Sequence, residues 1–184
     1  MPPVEEARPG QCPWCGAASR PVGGGLVVIG HGMRERQHRG PLDVDAEPTE
    51  VVVSARRYLC RACEQTLTVV PAGVIGGRQY SASAIALAVA LYGVVGLSPN
   101  EVRRRVSTWR VVGATAATGW ATLRRWLCAI RRGTLFGGVR AWPDGFSLRQ
   151  AAERAATTLA AHALPSLARL PIEAQAFFGA VHMA

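Results

Sequence analysis

Two Cys-x-x-Cys pairs constrain this chain more than anything else in it: Cys12-Pro13-Trp14-Cys15 and Cys60-Arg61-Ala62-Cys63. In a reducing compartment a doubled pair holds a metal more readily than it forms disulfides, because four thiolates close a tetrahedral site. Cys12, Cys15, Cys60 and Cys63 are therefore the expected ligands of a structural Zn²⁺, each pair forming one knuckle. Gly16 suits the left-handed backbone that follows a knuckle, and Glu64 occupies the matching place after the second pair at some cost. A redox reading of Cys-Pro-Trp-Cys needs the motif to open a helix in a βαβ context, which Gly16, Pro21 and Gly23-Gly24-Gly25 forbid. The fifth cysteine, Cys128, is expected as a semi-buried small residue.

The 44 residues between the pairs exceed the compact spacing of about 15–20, so they must carry structure of their own. Leu26 to Ile29, Glu50 to Tyr58 and Thr66 to Val70 are β-rich, which predicts a three-stranded ribbon. Arg39 to Pro48 reads as an exposed acidic connection at its tip. His31 and His38, beside Arg34, Arg36 and Arg39, read as surface hairpin residues; contact with metal or with phosphate stays open for both.

From Ser81 the period changes to that of helices. Ile85, Ala88, Val89 and Tyr92 recur at helical spacing while Leu87 and Leu91 make a second apolar face, so this helix is buried on most sides. Gly93 and Gly96 end it, and Ser98-Pro99-Asn100-Glu101 supplies a capping box with proline at the first helical position. A further helix is expected from Thr118 to Arg131. Its wheel puts Trp120, Leu123, Trp126, Leu127 and Ile130 on the core side, and Thr118, Ala121, Thr122, Arg125, Ala129 and Arg132 opposite, flanked by Arg124 and Arg131. Ser147 to Gln150 repeats the capping box ahead of an Ala-rich helix, and Pro171 to Val181 predicts a last helix with Phe177 and Phe178 inward.

Charge then separates the halves. Between Glu101 and Arg140 nine arginines face one acid, a balance of +8 in a chain whose total is +9, and there is no lysine anywhere. Guanidinium forks suit phosphate and guanine edges, so double-stranded DNA is the expected partner. The candidate contacts are Arg103, Arg104, Arg105, Thr118, Thr122, Arg124, Arg125, Arg131 and Arg132. Four thiolates and one Zn²⁺ sum to −2, which lowers the holo-chain to about +7 and shifts polyanion binding further toward the second half.

These residues place the chain in an α+β class: a small N-terminal three-stranded zinc ribbon, an all-α helix-turn-helix-like module and C-terminal helices. The expected division is a disordered lead over 1–9, the ribbon over 10–75, the DNA-binding module over 80–135 and a packing or oligomerisation segment over 146–184. Cys-Pro-x-Cys-Gly, Arg57-Tyr58-x-Cys60-x-x-Cys63-x-x-Thr66, Tyr80-Ser81 and Thr122-Leu123-Arg124-Arg125-Trp126 together resemble the zinc-ribbon plus helix-turn-helix proteins of bacterial transposases and mobile elements. That resemblance implies DNA recognition by the helix from Trp120 to Arg132, in an accessory component of a transposition system or a regulator, with a transposase or a second copy of the chain as protein partner. Glu64, where that family has Gly, departs from the pattern, and Ser107 to Ala117 is longer than a tight helix-turn-helix connection.

The second half offers only Glu101, Asp144, Glu153 and Glu173, with no strands to carry them, so two-metal strand transfer and catalysis generally are not expected. No small-molecule substrate is expected either, because a phosphate-binding glycine loop and a nucleophile elbow are both missing. The most apolar run, Ala82 to Leu97, falls short of the roughly 20 residues of a bilayer span. The N-terminus has no basic region followed by an apolar run, so the expected location is the cytoplasm, nucleoid-associated when bound to DNA. The competing reading is a zinc-ribbon adaptor that docks a transposase or another enzyme and leaves its arginines solvated. RNA binding by the ribbon would need an exposed aromatic platform on the sheet, which the strands lack.

Overall fold

The computed structural model describes residues 3–109 and 119–184. The order is β1 (Val28–Gly40), β2 (Thr49–Cys60), β3 (Thr66–Val69), α1 (Ala82–Gly93), α2 (Pro99–Val106), α3 (Ala121–Arg131), α4 (Leu148–Ala160) and α5 (Ile172–Gly179), with short 3-10 turns at Pro165–Leu167 and Ala180–Met183. The fold is α+β, as expected. Two compact units divide it: Met1–Gln37 with Val52–Pro71, and His38–Val51 with Ala72–Ala184. Among the described residues no helix is long and apolar enough to cross a membrane.

The first unit is built on an antiparallel sheet in the order β1-β2-β3. Strand periodicity puts Tyr58 and Cys60 on one face, and the register sets Leu67 directly across from Tyr58. These three, with Val28 and Cys12, are the whole buried cluster, so two of its five members are cysteines of the knuckles. Of the leading residues, expected to be disordered, Val4 to Ala7 form turns on this unit. Ala7 packs on the cluster, the Tyr58 hydroxyl donates to the Val4 carbonyl at 2.7 Å, and Glu5 joins Arg8 and Arg20.

β1 is much longer than the apolar run Leu26 to Ile29 and continues through the polar stretch to Gly40. Pairing with β2 satisfies its backbone whatever its side chains are, which a hydrophobic pattern cannot report. The tip is also less exposed than expected. Arg39, Gly40 and Pro41 are buried, while Asp43, Asp45 and Glu47 remain in solvent. Within the second unit the Arg39 N–H donates to the Gln79 carbonyl at 2.8 Å, and a side chain on Gly40 would stand 2.3 Å from the Ala84 Cβ.

The second unit has one core, centred on α1. Ser81 caps α1 through the Ala84 N–H, and every residue of the helix except Tyr92 is buried. α1, α4 and α5 pack on one another, so the C-terminal segment is not a separate packing element; it completes this core. Small residues permit the close approach: a Cβ on Gly93 would lie 2.3 Å from the Glu153 backbone nitrogen, and one on Gly179 would lie 2.1 Å from the Leu159 carbonyl. α4 accordingly buries Ala151, Ala152, Ala155, Ala156 and Ala160 around Leu159. Phe177 is inside as expected, whereas Phe178 is only half-buried.

α2 carries the capping box read from its sequence, with Ser98 and Glu101 bonded reciprocally, and it packs on α1 through Val102 and Val106. α3 packs on α4 and α1. Residues 110–118, which include Thr118, lie outside the described residues. Two details of the wheel change. Ala129 is buried, because α3 meets two neighbouring helices and its covered arc is wider than the large side chains alone define; Cys128 is exposed.

Candidate metal centre and basic cleft

The two knuckles are near copies of each other. The Gly16 N–H donates to the Cys12 carbonyl at 2.9 Å and the Cys12 N–H donates to the Ala17 carbonyl at 2.9 Å; the Glu64 N–H donates to the Cys60 carbonyl at 2.8 Å and the Cys60 N–H to the Gln65 carbonyl at 3.0 Å. Gln11 and Ala18 bridge across the first turn as Leu59 and Thr66 do across the second. Both turns need a left-handed residue after the second cysteine. Gly16 supplies it at φ 73° and Glu64 at φ 59°. The glutamate carries a strain of about 1 kcal/mol that glycine avoids.

This geometry brings all four thiols together, with every sulfur within 4.8 Å of the others. The cross-knuckle pairs Cys12–Cys63 and Cys15–Cys60 are each 3.7 Å apart. A disulfide requires about 2.05 Å. A tetrahedron with metal–sulfur bonds of about 2.3 Å has edges of about 3.8 Å, so the quartet fits one metal ion. Cys12 and Cys60 are buried, Cys63 is half-buried and Cys15 faces solvent.

The titration of Cys12 and Cys63 points the same way. Burial pushes the Cys12 thiol up, but N–H donation from Cys15 and Trp14 together with the neighbouring thiols outweighs it and brings Cys12 down to about 7. At Cys63 the Gln65 N–H favours the thiolate, yet burial and the three other sulfurs prevail and push it up to about 12. One thiolate forms readily and the last does not form without a cation. His31 is exposed, and burial pushes His38 below the ordinary imidazole value. Neither joins the cysteines, which are the one such cluster among the described residues.

Eight arginines of the second unit fall into three groups. Arg104 and Arg105 line a 290 Å³ recess with Asp45 and Glu47, and Arg105 stands 3.8 Å from Asp45. Arg131 is paired with Asp144. Arg124, Arg125 and Arg132 instead share a 420 Å³ groove with Arg78, Ala121 and Cys128. Arg125 and Arg78 also line an adjoining 600 Å³ cleft, where they meet Arg103, Thr122 and Trp109. No carboxylate lines the groove or the cleft among the described residues.

The eight expected contacts among the described residues are thus not gathered on one surface. Arg104, Arg105 and Arg131 have acidic neighbours close in space, although the segment around them in sequence is nearly acid-free. Arg39, grouped with surface arginines from its sequence, is buried; its Nε donates to Glu50 Oε2 at 2.9 Å and its Nη1 to Gln79 Oε1 at 2.7 Å. Arg78 and Trp109, absent from the expected set, are brought to α3 by topology, and no local pattern around either announces it. Comparison with protein-family models, with curated proteins and with solved structures finds no match to this chain.

Proposed function

We propose that this is a zinc-binding, DNA-binding protein, in which a structural Zn²⁺ at Cys12, Cys15, Cys60 and Cys63 shapes the first unit and α3 presents arginine to duplex DNA. The observation that carries the reading is the acid-free groove of Arg78, Arg124, Arg125 and Arg132. Guanidinium groups left without carboxylates attract phosphate and match guanine edges, and the short Ala121 and Thr122 at the start of α3 allow that helix to approach a major groove closely. α3 serves as the reading helix. α2 and α3 each pack on α1, and the connection between them is long, so this is a looser unit than a compact helix-turn-helix.

A place in a transposition system, as a recognition component or a mobile-element regulator, rests on the motif resemblance of the Cys-Pro-x-Cys-Gly knuckle and the Thr-Leu-Arg-Arg-Trp helix. The adaptor reading has one observation of its own: Trp14, at the first knuckle, is 67% exposed, an aromatic anchor of the kind that protein interfaces use.

Selection of bound sequences from a random duplex library with the zinc-loaded protein separates the two. Enrichment of a defined site, lost in Arg125→Ala and kept in Trp14→Ala, is the expected result. No enrichment and no retained DNA would exclude the DNA-binding reading and leave the adaptor.

A further inference from the structure

Trp109 stands at the mouth of the 600 Å³ cleft with 56% of its surface exposed. Such an indole is ordinarily mobile, but this one is held. The Arg39 guanidinium lies over its ring, 4.1 Å from the centroid, and that guanidinium is fixed by Glu50 and Gln79. The Trp109 backbone N–H donates to the Ser107 hydroxyl at 3.2 Å, which fixes the main chain beneath the ring, and that hydroxyl is 2.7 Å from the Tyr80 hydroxyl. One face of the ring is therefore covered by a buried cation and the rest is presented to the cleft. Arginine beneath the ring also makes it a flat, rigid stacking surface.

Other walls of the cleft have the complementary chemistry. Arg78, Arg103 and Arg125 line it, and the α3 N-terminus enters it at Ala121 and Thr122, where the capping residue Trp120 makes no side-chain bond to the first turn. A helix N-terminus beside three guanidinium groups favours a phosphate. The volume decides what can carry that phosphate. A cleft of 600 Å³ lies in the small-ligand range of about 300–1,000 Å³, too small to enclose a duplex. A single nucleotide fits, with its base on the indole.

We infer that this cleft holds one unpaired nucleotide of a nucleic-acid strand, its base stacked on Trp109 and its phosphate bound by Arg78, Arg103, Arg125 and the α3 N-terminus. The inference rests on the nucleic-acid reading above and extends it from duplex to the junction of duplex and single strand. A strand is favoured over a free nucleotide because the cleft and the neighbouring groove share Arg78 and Arg125, so a phosphate backbone leaving the cleft continues onto Arg124 and Arg132.

The test is an anisotropy comparison with the full-length zinc-loaded protein. The probes are a blunt duplex, the same duplex carrying a short oligodeoxyuridylate or oligouridylate overhang, and thymidine monophosphate as competitor. Base–aromatic stacking predicts that an overhang tightens binding about tenfold. Trp109→Ala and Arg103→Gln abolish that advantage, whereas Trp109→Phe retains it. Tightening by either overhang supports the cleft, and the better of the two identifies the sugar. Equal affinity for blunt and overhanging duplex would overturn the inference and leave duplex recognition standing. Absence of binding to every duplex would overturn both. Displacement of the blunt duplex by thymidine monophosphate with no benefit from an overhang would assign the cleft to free nucleotide and overturn the strand.

Discussion

The two units reach a folded state by different means. Among the described residues of the first, five are buried as a cluster and two of them are cysteines of the quartet; in the second, 28 form one core. A five-residue cluster is too small to offset the conformational entropy of the chain it organises, so the first unit depends on its ligands. The helical unit depends on fit. Its glycines and alanines let helices approach until backbone meets backbone, and the tolerance there is a single methyl group. Spacing between four cysteines defines one unit, and side-chain volume defines the other.

Metal removal is the largest perturbation that this contrast predicts. Structural zinc in comparable knuckles contributes on the order of 10–16 kcal/mol at neutral pH, so chelation, or Cys60→Ser, unfolds the first unit and spares the helices. Hydrogen exchange is expected to lose protection over 52–69 while α1 and α4 keep theirs. Retained protection in the strands after complete chelation would mean that the apolar cluster suffices alone.

The converse perturbation is Gly93→Ala. Helix propensity alone favours the change by about 1 kcal/mol, but the new methyl would lie 2.3 Å from the Glu153 backbone nitrogen, and overpacking against a backbone costs about 1–3 kcal/mol and more where nothing can yield. The clash wins. A lower urea midpoint with unchanged metal content is expected, and a raised midpoint would show that α1 and α4 are less tightly packed than described.

Smaller effects come from the caps. Ser98→Ala removes the bond to the Glu101 N–H and is expected to cost about 1 kcal/mol in the same titration. Hydrogen bonding by the Ser98 side chain and backbone, with Arg104 nearby, holds the Glu101 carboxyl below its ordinary 4.5. A depressed carboxyl stabilises the fold above its unfolded value and loses that contribution as pH falls through the lower folded value. Glu101→Gln should therefore lower stability slightly at neutral pH and remove the small acid-side decline below pH 4.5. An unchanged acid limb would remove Glu101 from the account of α2.

How much was legible in the residues follows from the same contrast. The quartet was legible because a Cys-x-x-Cys pair has one turn compatible with its spacing, and Glu64 adopts the left-handed conformation that the matching Gly16 indicates. The caps at Ser81, Ser98 and Ser147 were legible because a capping bond spans three residues. What failed was long-range. A polar run gave no sign that β1 extends to Gly40, since ladder hydrogen bonds do not depend on side-chain polarity. Acid-free sequence around Arg104, Arg105 and Arg131 gave no sign of Asp45 and Asp144, which approach from elsewhere in the chain. Arg39 looked like surface charge and Arg78 drew no reading for the same reason, and only the fold shows the first buried and the second lining a groove.

The central proposal is that α3 and its neighbours bind duplex DNA through arginines of a groove that no carboxylate lines among the described residues. Its most direct test is duplex affinity of the zinc-loaded protein as a function of salt, beside Arg125→Ala. Each phosphate neutralised contributes about −0.9 to the log–log slope, so engagement of Arg78, Arg124, Arg125 and Arg132 predicts a slope near −3 to −4, made shallower by about 1 in Arg125→Ala. Affinity independent of salt, or no retention of duplex DNA at low salt, would contradict the claim.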